Sequence, residues 1–138
     1  MSATLKNIWI IDDDKLYTLL LSKTLTKLDA AATISTFHNG QDAIEALRST
    51  MSNGTSLPEL IFLDINMSIM DGWEFMEEYK KLKAGNNVGT VIYVASSSIS
   101  SDDIAKAKAD KEIHDYIIKP IHANTIMDIL KKVPSKTE

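Results

Sequence analysis

Residues 8–14 read IWIIDDD, an apolar run that ends in three adjacent carboxylates. Three later segments also place polar groups after an apolar run: LIFLD at 60–64, VIYVASSS at 91–98 and YIIKP at 116–120. Apolar runs of this length are typical of strands that are buried on both faces of a parallel sheet. Ligands bind beyond the carboxyl ends of the strands in such a sheet. If the four runs are parallel neighbours, carboxylates, a hydroxyl and an ammonium converge on one edge. That set suits a divalent metal ion and a phosphoryl group.

The segments between these runs have apolar residues at helical spacing, so strands and helices alternate along the chain. This alternation predicts an α/β fold, a doubly wound five-stranded parallel sheet with helices on both faces. The strands are predicted at 7–12, 33–37, 60–63, 91–95 and 113–118. The first two helices are predicted at 15–28 and 41–50. The third begins after an Asp71 cap, which forms a capping box with Glu74, and stops at 85–87. The fourth runs from a cap at 101–103 to about Asp110, and the fifth begins after Pro120. Residues 52–58 are predicted to be a loop, and 134–138 a frayed tail.

The composition argues against several classes of protein. A length of 138 residues, with 44% hydrophobic and 25% charged residues, predicts one soluble domain over 1–138 with a core at about 6–133. The net charge of -4 argues against a nucleic-acid partner. The absence of cysteine excludes disulfides and thiolate metal sites. The first six residues lack the apolar centre of a signal peptide, and no apolar run approaches the roughly 20 residues that span a bilayer. A cytoplasmic protein without a membrane partner is therefore expected.

The three carboxylates at 12–14 repel one another unless a cation neutralises them. Because successive strand residues face opposite sides, all three cannot reach one site. We expect Asp14 to cap the first helix, and Asp12 and Asp13 to bind Mg²⁺. The alternative is a solvated helix cap without metal, and this segment alone favours neither interpretation.

Asp64 ends an otherwise apolar strand, where a charge is costly unless it is paired or bound to metal. A carboxylate held beside Mg²⁺ can act as a nucleophile toward phosphorus and form an aspartyl phosphate. The alternative role for Asp64 is a helix cap or a salt-bridge partner.

Lys119 follows the last apolar run, where its ammonium could pair with a carboxylate and bind a phosphoryl oxygen. The Lys119–Pro120 bond can be cis at modest cost, and that isomer would direct the lysine over the edge of the sheet. A serine hydroxyl after the fourth strand could donate to the same phosphoryl group. Periodicity does not choose between Ser96 and Ser97, and these serines could instead cap a helix.

The ordered set of segments resembles the receiver domain of two-component response regulators. IIDDD at 10–14 is similar to the family's hydrophobic-Asp-Asp segment, and YIIKP at 116–120 to its last strand. LIFLDINMSIMDG at 60–72 is similar to its phosphoacceptor strand and loop, usually D-x-x-M-P-x-M-D-G. The resemblance covers about residues 6–133 and implies a flavodoxin-like (βα)5 fold with strand order 2-1-3-4-5. Ser68 stands where the family usually has proline, which predicts a less rigid loop.

The resemblance also implies a role for each matching residue. Asp64 would be the phosphoacceptor, and Tyr116 would be the aromatic switch. Mg²⁺ would be bound by Asp12, Asp13, Asp64 and the backbone carbonyl of Asn66. The phosphoryl group would be bound by Lys119 and by Ser96, or by Ser97 if the register is one residue later. The implied donor is a sensor histidine kinase or a histidine phosphotransfer protein. The implied output is a downstream protein partner that reads the face formed by the fourth helix, fifth strand and fifth helix.

A signalling phosphoacceptor is thus expected rather than an enzyme, with only slow Mg²⁺-dependent self-phosphorylation and self-dephosphorylation. One alternative is a Mg²⁺-dependent phosphatase that forms an aspartyl phosphate, although such enzymes resemble D-x-D where this chain has Asp64, Ile65 and Asn66. A second is a nucleotide-binding flavodoxin-like module, but no Gly-rich phosphate loop follows the first strand. A third is a degenerate receiver that only binds partners, against which the intact set of acids, hydroxyl and lysine argues.

Overall fold

In the computed structural model, which describes residues 7–54, 57–84 and 89–133, five strands alternate with five helices. The strands are β1 (Asn7–Ile11), β2 (Thr33–Phe37), β3 (Leu60–Leu63), β4 (Val91–Ser96) and β5 (Ile113–Ile118). The helices are α1 (Lys15–Leu28), α2 (Gly40–Asn53), α3 (Gly72–Lys83), α4 (Ser101–Ala109) and α5 (Ala123–Lys132). The strands form a parallel sheet in the order β2-β1-β3-β4-β5, which confirms the predicted fold class and strand order.

Helices cover both faces of the sheet, and alternate side chains of each strand point to one face or the other. Trp9 and Ile11 of β1 pack in a core cluster with residues of α2, α3 and α4. Ile8 and Ile10 pack in a second cluster with residues of α1 and α5. The central strands are consequently buried, as their apolar runs predict. The expected burial of the apolar run at 116–118 is wrong, since β5 lies at the edge of the sheet and Ile118 is exposed.

Several predicted boundaries differ from those in the structure. Helix α2 continues to Asn53, so the start of the predicted loop at 52–58 is helical. Gly54 ends it in the left-handed conformation (φ 69°), with its N–H bonded to the Met51 carbonyl. Helix α4 is capped by Ser100, one residue earlier than the predicted cap.

Some sequence predictions cannot be compared with the structure. The predicted helix stop at 85–87, the tail at 134–138, residue 6 of the predicted core and residues 55–56 of the loop lie outside the described residues. Among the helices of the described ranges, none has both the length and the apolar character needed to cross a membrane.

Candidate functional site

The carboxyl ends of β1, β3 and β5 bring three acids and one ammonium together. Ile11 pairs with Leu63 across β1 and β3, so the residues that follow, Asp12 and Asp64, leave the sheet at the same edge. One carboxylate oxygen from each of Asp12, Asp13 and Asp64 lies within 4.8 Å of the other two. The Nζ atom of Lys119 lies 2.6 Å from Asp12 Oδ2 and 3.9 Å from Asp64 Oδ2.

Backbone hydrogen bonds hold the two buried acids in place. The Asp12 N–H donates to the Phe37 carbonyl at 2.8 Å, and the Asp64 N–H donates to the Ile11 carbonyl at 2.9 Å. The Asp12 carboxylate itself accepts from the Asp14 N–H at 2.9 Å. Each acid therefore continues the sheet ladder for one residue, which fixes where its side chain leaves the edge.

The site carries negative charge that its own residues do not fully neutralise. Asp12 is 2% exposed and Asp64 is 6% exposed. Burial, reinforced by the charge of Asp12 and opposed by Lys119, raises the pKa of Asp64 to about 6. Burial also raises the pKa of Asp12, although its hydrogen bond to Lys119 opposes that change. Clustered carboxylate oxygens with excess negative charge are the donor set that Mg²⁺ prefers.

Asp14 serves the helix and not the cluster, as the sequence predicts. Its Oδ1 atom accepts from the Tyr17 N–H at 3.0 Å, which caps α1. Asp14 is exposed and caps the helix, so a substitution of Asp14 is a suitable control for substitutions of the neighbouring acids.

The segment that leads from Asp64 into α3 is tightly constrained. Asp71 and Glu74 form the predicted capping box, with reciprocal bonds of 2.9 and 3.0 Å. A Cβ atom on Gly72 would lie 2.5 Å from the Asp64 carbonyl oxygen, so only glycine fits there without movement of the backbone. The Asn66 N–H lies 3.4 Å from Asp64 Oδ1, which keeps the start of this loop beside the acid.

The same loop contains a strained turn that begins at Ser68, the residue that stands where the resemblance predicts proline. The Met70 N–H donates to the Ser68 carbonyl at 2.8 Å, and the central residue, Ile69, has φ 70°. This pattern is a γ-turn in its rarer, strained form. A β-branched side chain in the left-handed region is costly, and Ile69 is 78% exposed, without burial to offset that cost.

The hydroxyl groups after β4 differ in burial. Ser96 is fully buried, whereas Ser97 is exposed. The Ser96 carbonyl accepts from the Lys119 N–H at 2.9 Å, and its hydroxyl accepts from the Ser98 N–H at 3.1 Å. The Tyr116 hydroxyl donates to the Ser98 carbonyl at 2.8 Å. Ser98 thus contacts both Ser96 and Tyr116.

Two side chains of the site have no signal in the sequence. The ring of Tyr17, in the first turn of α1, lies 4.2 Å from Lys119 Nζ. Nδ1 of His38 lies 3.1 Å from the Asp12 carbonyl oxygen. Neither residue belongs to a motif, and only the folded chain brings them to this edge. The Lys119–Pro120 bond is cis, the isomer that the sequence allowed.

The chain is similar to known signalling proteins. Residues 8–131 match the family model described as the response regulator receiver domain. The chain is 26% identical to the probable methanogenesis regulatory protein FilR2 of Methanothrix harundinacea, over 83% of this chain and 72% of that protein. Several other curated relatives are much longer, and the chain spans only 6% to 29% of their length.

Two crystal structures have the same fold. A two-component response regulator from Cytophaga hutchinsonii superposes with a TM-score of 0.84 at 27% identity, covering 95% of this chain and 98% of that one. The phosphorylated cyanobacterial phytochrome response regulator RcpA superposes with a TM-score of 0.72 at 28% identity, covering 91% of this chain and 89% of that one.

Proposed function

This chain belongs to the response regulator receiver domain family, and we propose that it accepts a phosphoryl group on Asp64 from a phosphohistidine of a protein donor. One observation carries the proposal: Asp64 is a buried carboxylate within 4.8 Å of Asp12 and Asp13, and its Oδ2 atom lies 3.9 Å from an ammonium. A carboxylate in this environment can attack phosphorus if the charge on the transferring oxygens is neutralised.

Mg²⁺ is the proposed cofactor. Asp12, Asp13 and Asp64 would hold it, together with the backbone carbonyl of Asn66. The fit rests on the donor set, because three clustered carboxylates face one ammonium and the pKa of Asp64 is raised to about 6. When bound, Mg²⁺ would supply positive charge to the oxygens of the transferring group.

The proposed transfer uses Asp64 as the nucleophile. One of its carboxylate oxygens forms a bond to phosphorus while the P–N bond to the donor imidazole breaks, and that electron pair returns to the ring. Lys119, now 2.6 Å from Asp12, is close enough to turn toward the phosphoryl oxygens. Ser96 would donate its O–H to the same group.

The proposed output begins at the Ser96 hydroxyl. If Ser96 moves toward a phosphoryl group on Asp64, its bond to the Ser98 N–H must lengthen. The Ser98 carbonyl accepts from Tyr116, so this movement perturbs the contact that holds the tyrosine. We infer that Tyr116 then changes its position, as a population shift between two states. A protein partner would read the α4–β5–α5 face, on which Ile118 and Met127 are exposed.

The surroundings of the site favour a protein as the donor. Leu16 in the first turn of α1 is 67% exposed, and Ile99 in the loop after β4 is 76% exposed. With Ile69 in the loop after β3, they place exposed apolar side chains on segments that leave the same edge of the sheet. A sensor histidine kinase or a histidine phosphotransfer protein, acting in the cytoplasm, could cover these residues while its phosphohistidine reaches Asp64.

The test is labelling by acetyl phosphate, followed by intact mass spectrometry with Mg²⁺ or with EDTA. We expect one phosphoryl group per chain, only with Mg²⁺, and none in Asp64→Asn. Asp14→Asn is the matched control, since it removes a neighbouring carboxylate that caps the helix, and it should be labelled like the wild type. Labelling that survives Asp64→Asn contradicts the proposal, and repeated turnover of the donor would instead favour the phosphatase alternative.

A further inference from the structure

The Lys119 ammonium lies between a carboxylate and an aromatic ring. Its Nζ atom is 2.6 Å from Asp12 Oδ2 and 4.2 Å from the centroid of the Tyr17 ring. A cation over the face of a ring is attracted by the ring quadrupole, and more strongly where water is excluded. The Lys119 side chain is 13% exposed, so this contact lies largely out of water.

The ring of Tyr17, and not its hydroxyl, makes this contact. The hydroxyl is buried and has no hydrogen-bond partner among the described residues. Burial is the main cause that raises its pKa, and the charges of Asp12, Asp64 and Asp14 add to the effect. The hydroxyl therefore stays neutral, and the influence of these carboxylates reflects how close the side chain lies to the acidic site.

We infer that Tyr17 is a positioning residue, whose ring holds the Lys119 ammonium beside Asp64 for phosphoryl transfer. The inference rests on the proposed function. Lysine has a flexible four-carbon stem, so an ammonium without fixed partners occupies many positions. The carboxylate of Asp12 is one partner, but a metal ion bound to Asp12 would compete with Lys119 for it. The ring is uncharged, and its attraction for the ammonium does not depend on whether a metal ion is bound.

Two substitutions separate the ring from the hydroxyl. Tyr17→Phe keeps the ring, and Tyr17→Leu removes it while keeping an apolar side chain at this place. At saturating acetyl phosphate and Mg²⁺, we expect Tyr17→Leu to be labelled about tenfold more slowly than the wild type, and Tyr17→Phe within about twofold of it. Affinity for Mg²⁺ should be the same in all three proteins, because Tyr17 is not a ligand.

A double-mutant cycle with Lys119 distinguishes positioning from a general structural effect. In a Lys119→Met background, Tyr17→Leu should cause no further loss of labelling rate, because the group that it positions is gone. Labelling of Tyr17→Leu at the wild-type rate overturns the inference, and so does an equal loss in the presence and absence of Lys119.

A spectroscopic measurement tests the contact without any phosphoryl transfer. In protein labelled with ¹³C-lysine, the ε-methylene protons of Lys119, assigned by their loss in Lys119→Arg, should be shifted upfield by the ring. The shift should persist in Tyr17→Phe and disappear in Tyr17→Leu. An unshifted Lys119 resonance in the wild type overturns the inference, even if Tyr17→Leu does not fold. A wild-type protein that shows the shift but is not labelled contradicts the proposed function and, with it, the role of the contact in transfer.

Discussion

Asp64→Asn should make the metal-free protein more stable, although it removes the proposed phosphoacceptor. The side chain of Asp64 is buried, and its pKa is raised from 3.8 to about 6, mainly by burial and then by the charge of Asp12. Ionised Asp64 therefore lowers the free energy of unfolding. The difference between the two pKa values corresponds to about 3 kcal/mol near pH 7.5, and this already includes the attraction of Lys119.

The gain should depend on pH with a defined sign. A carboxyl whose pKa is higher in the folded protein binds more protons when folded, so its cost to stability vanishes as pH falls from about 6 toward 3.8. Asparagine is neutral throughout. The advantage of Asp64→Asn should thus shrink to about 1 kcal/mol at about pH 4.5.

Urea denaturation in EDTA at both pH values, followed by tryptophan fluorescence, measures the difference. Asp14→Asn is the matched control, and its stability should lie within about 0.5 kcal/mol of the wild type because either residue caps the helix. If Asp64→Asn is no more stable than the wild type near pH 7.5, or gains equally at both pH values, the argument from buried charge is wrong.

Three further substitutions test the surroundings of the site. Gly72→Ala places a Cβ atom 2.5 Å from the Asp64 carbonyl oxygen and should lower stability by about 2 kcal/mol in urea denaturation. Gly89→Ala should be nearly neutral, because no atom of the described residues beyond its chain neighbours lies within 4 Å of the new Cβ. Ile69→Gly relieves the φ of 70° and should raise stability by about 1 kcal/mol in the same assay; a loss instead would show that the turn is not strained. Leu16→Glu should slow transfer from a phosphohistidine protein by about tenfold while labelling by acetyl phosphate stays unchanged, and equal slowing of both reactions would refute a docking role.

The fold could be predicted from the sequence because the lengths of the apolar runs and the periodicity of the segments between them indicate the same alternation of strands and helices. Apolar runs at 8–11 and 60–63 are long enough for strands and too short for helices, and they alternate with segments of helical period. Parallel strands then require that their carboxyl ends share an edge, so the proximity of Asp12, Asp64 and Lys119 follows from topology alone.

The finer features of the site could not be predicted, because they depend on side-chain packing and not on the periodicity of apolar residues in the sequence. Ser96 is buried and Ser97 is exposed, and the periodicity of the apolar run does not indicate which of two adjacent serines turns inward. In the sequence, Tyr17 is simply the aromatic residue of the predicted first helix. Its contact with Lys119 joins two residues at opposite ends of the chain. The left-handed turn at Ile69 runs against residue preference, since a β-branched residue rarely adopts that conformation.

Chemical identification of the phosphorylated residue tests the role of Asp64. An aspartyl phosphate is reduced by borohydride to homoserine, whereas phosphoserine, phosphothreonine and phosphohistidine do not give this product. After labelling with acetyl phosphate and Mg²⁺, reduction and peptide mapping by mass spectrometry, we predict homoserine at position 64, with Asp12, Asp13 and Asp14 unchanged. Homoserine at any of those three positions, or a labelled protein that yields no homoserine, would contradict the assignment of Asp64 as the phosphoacceptor.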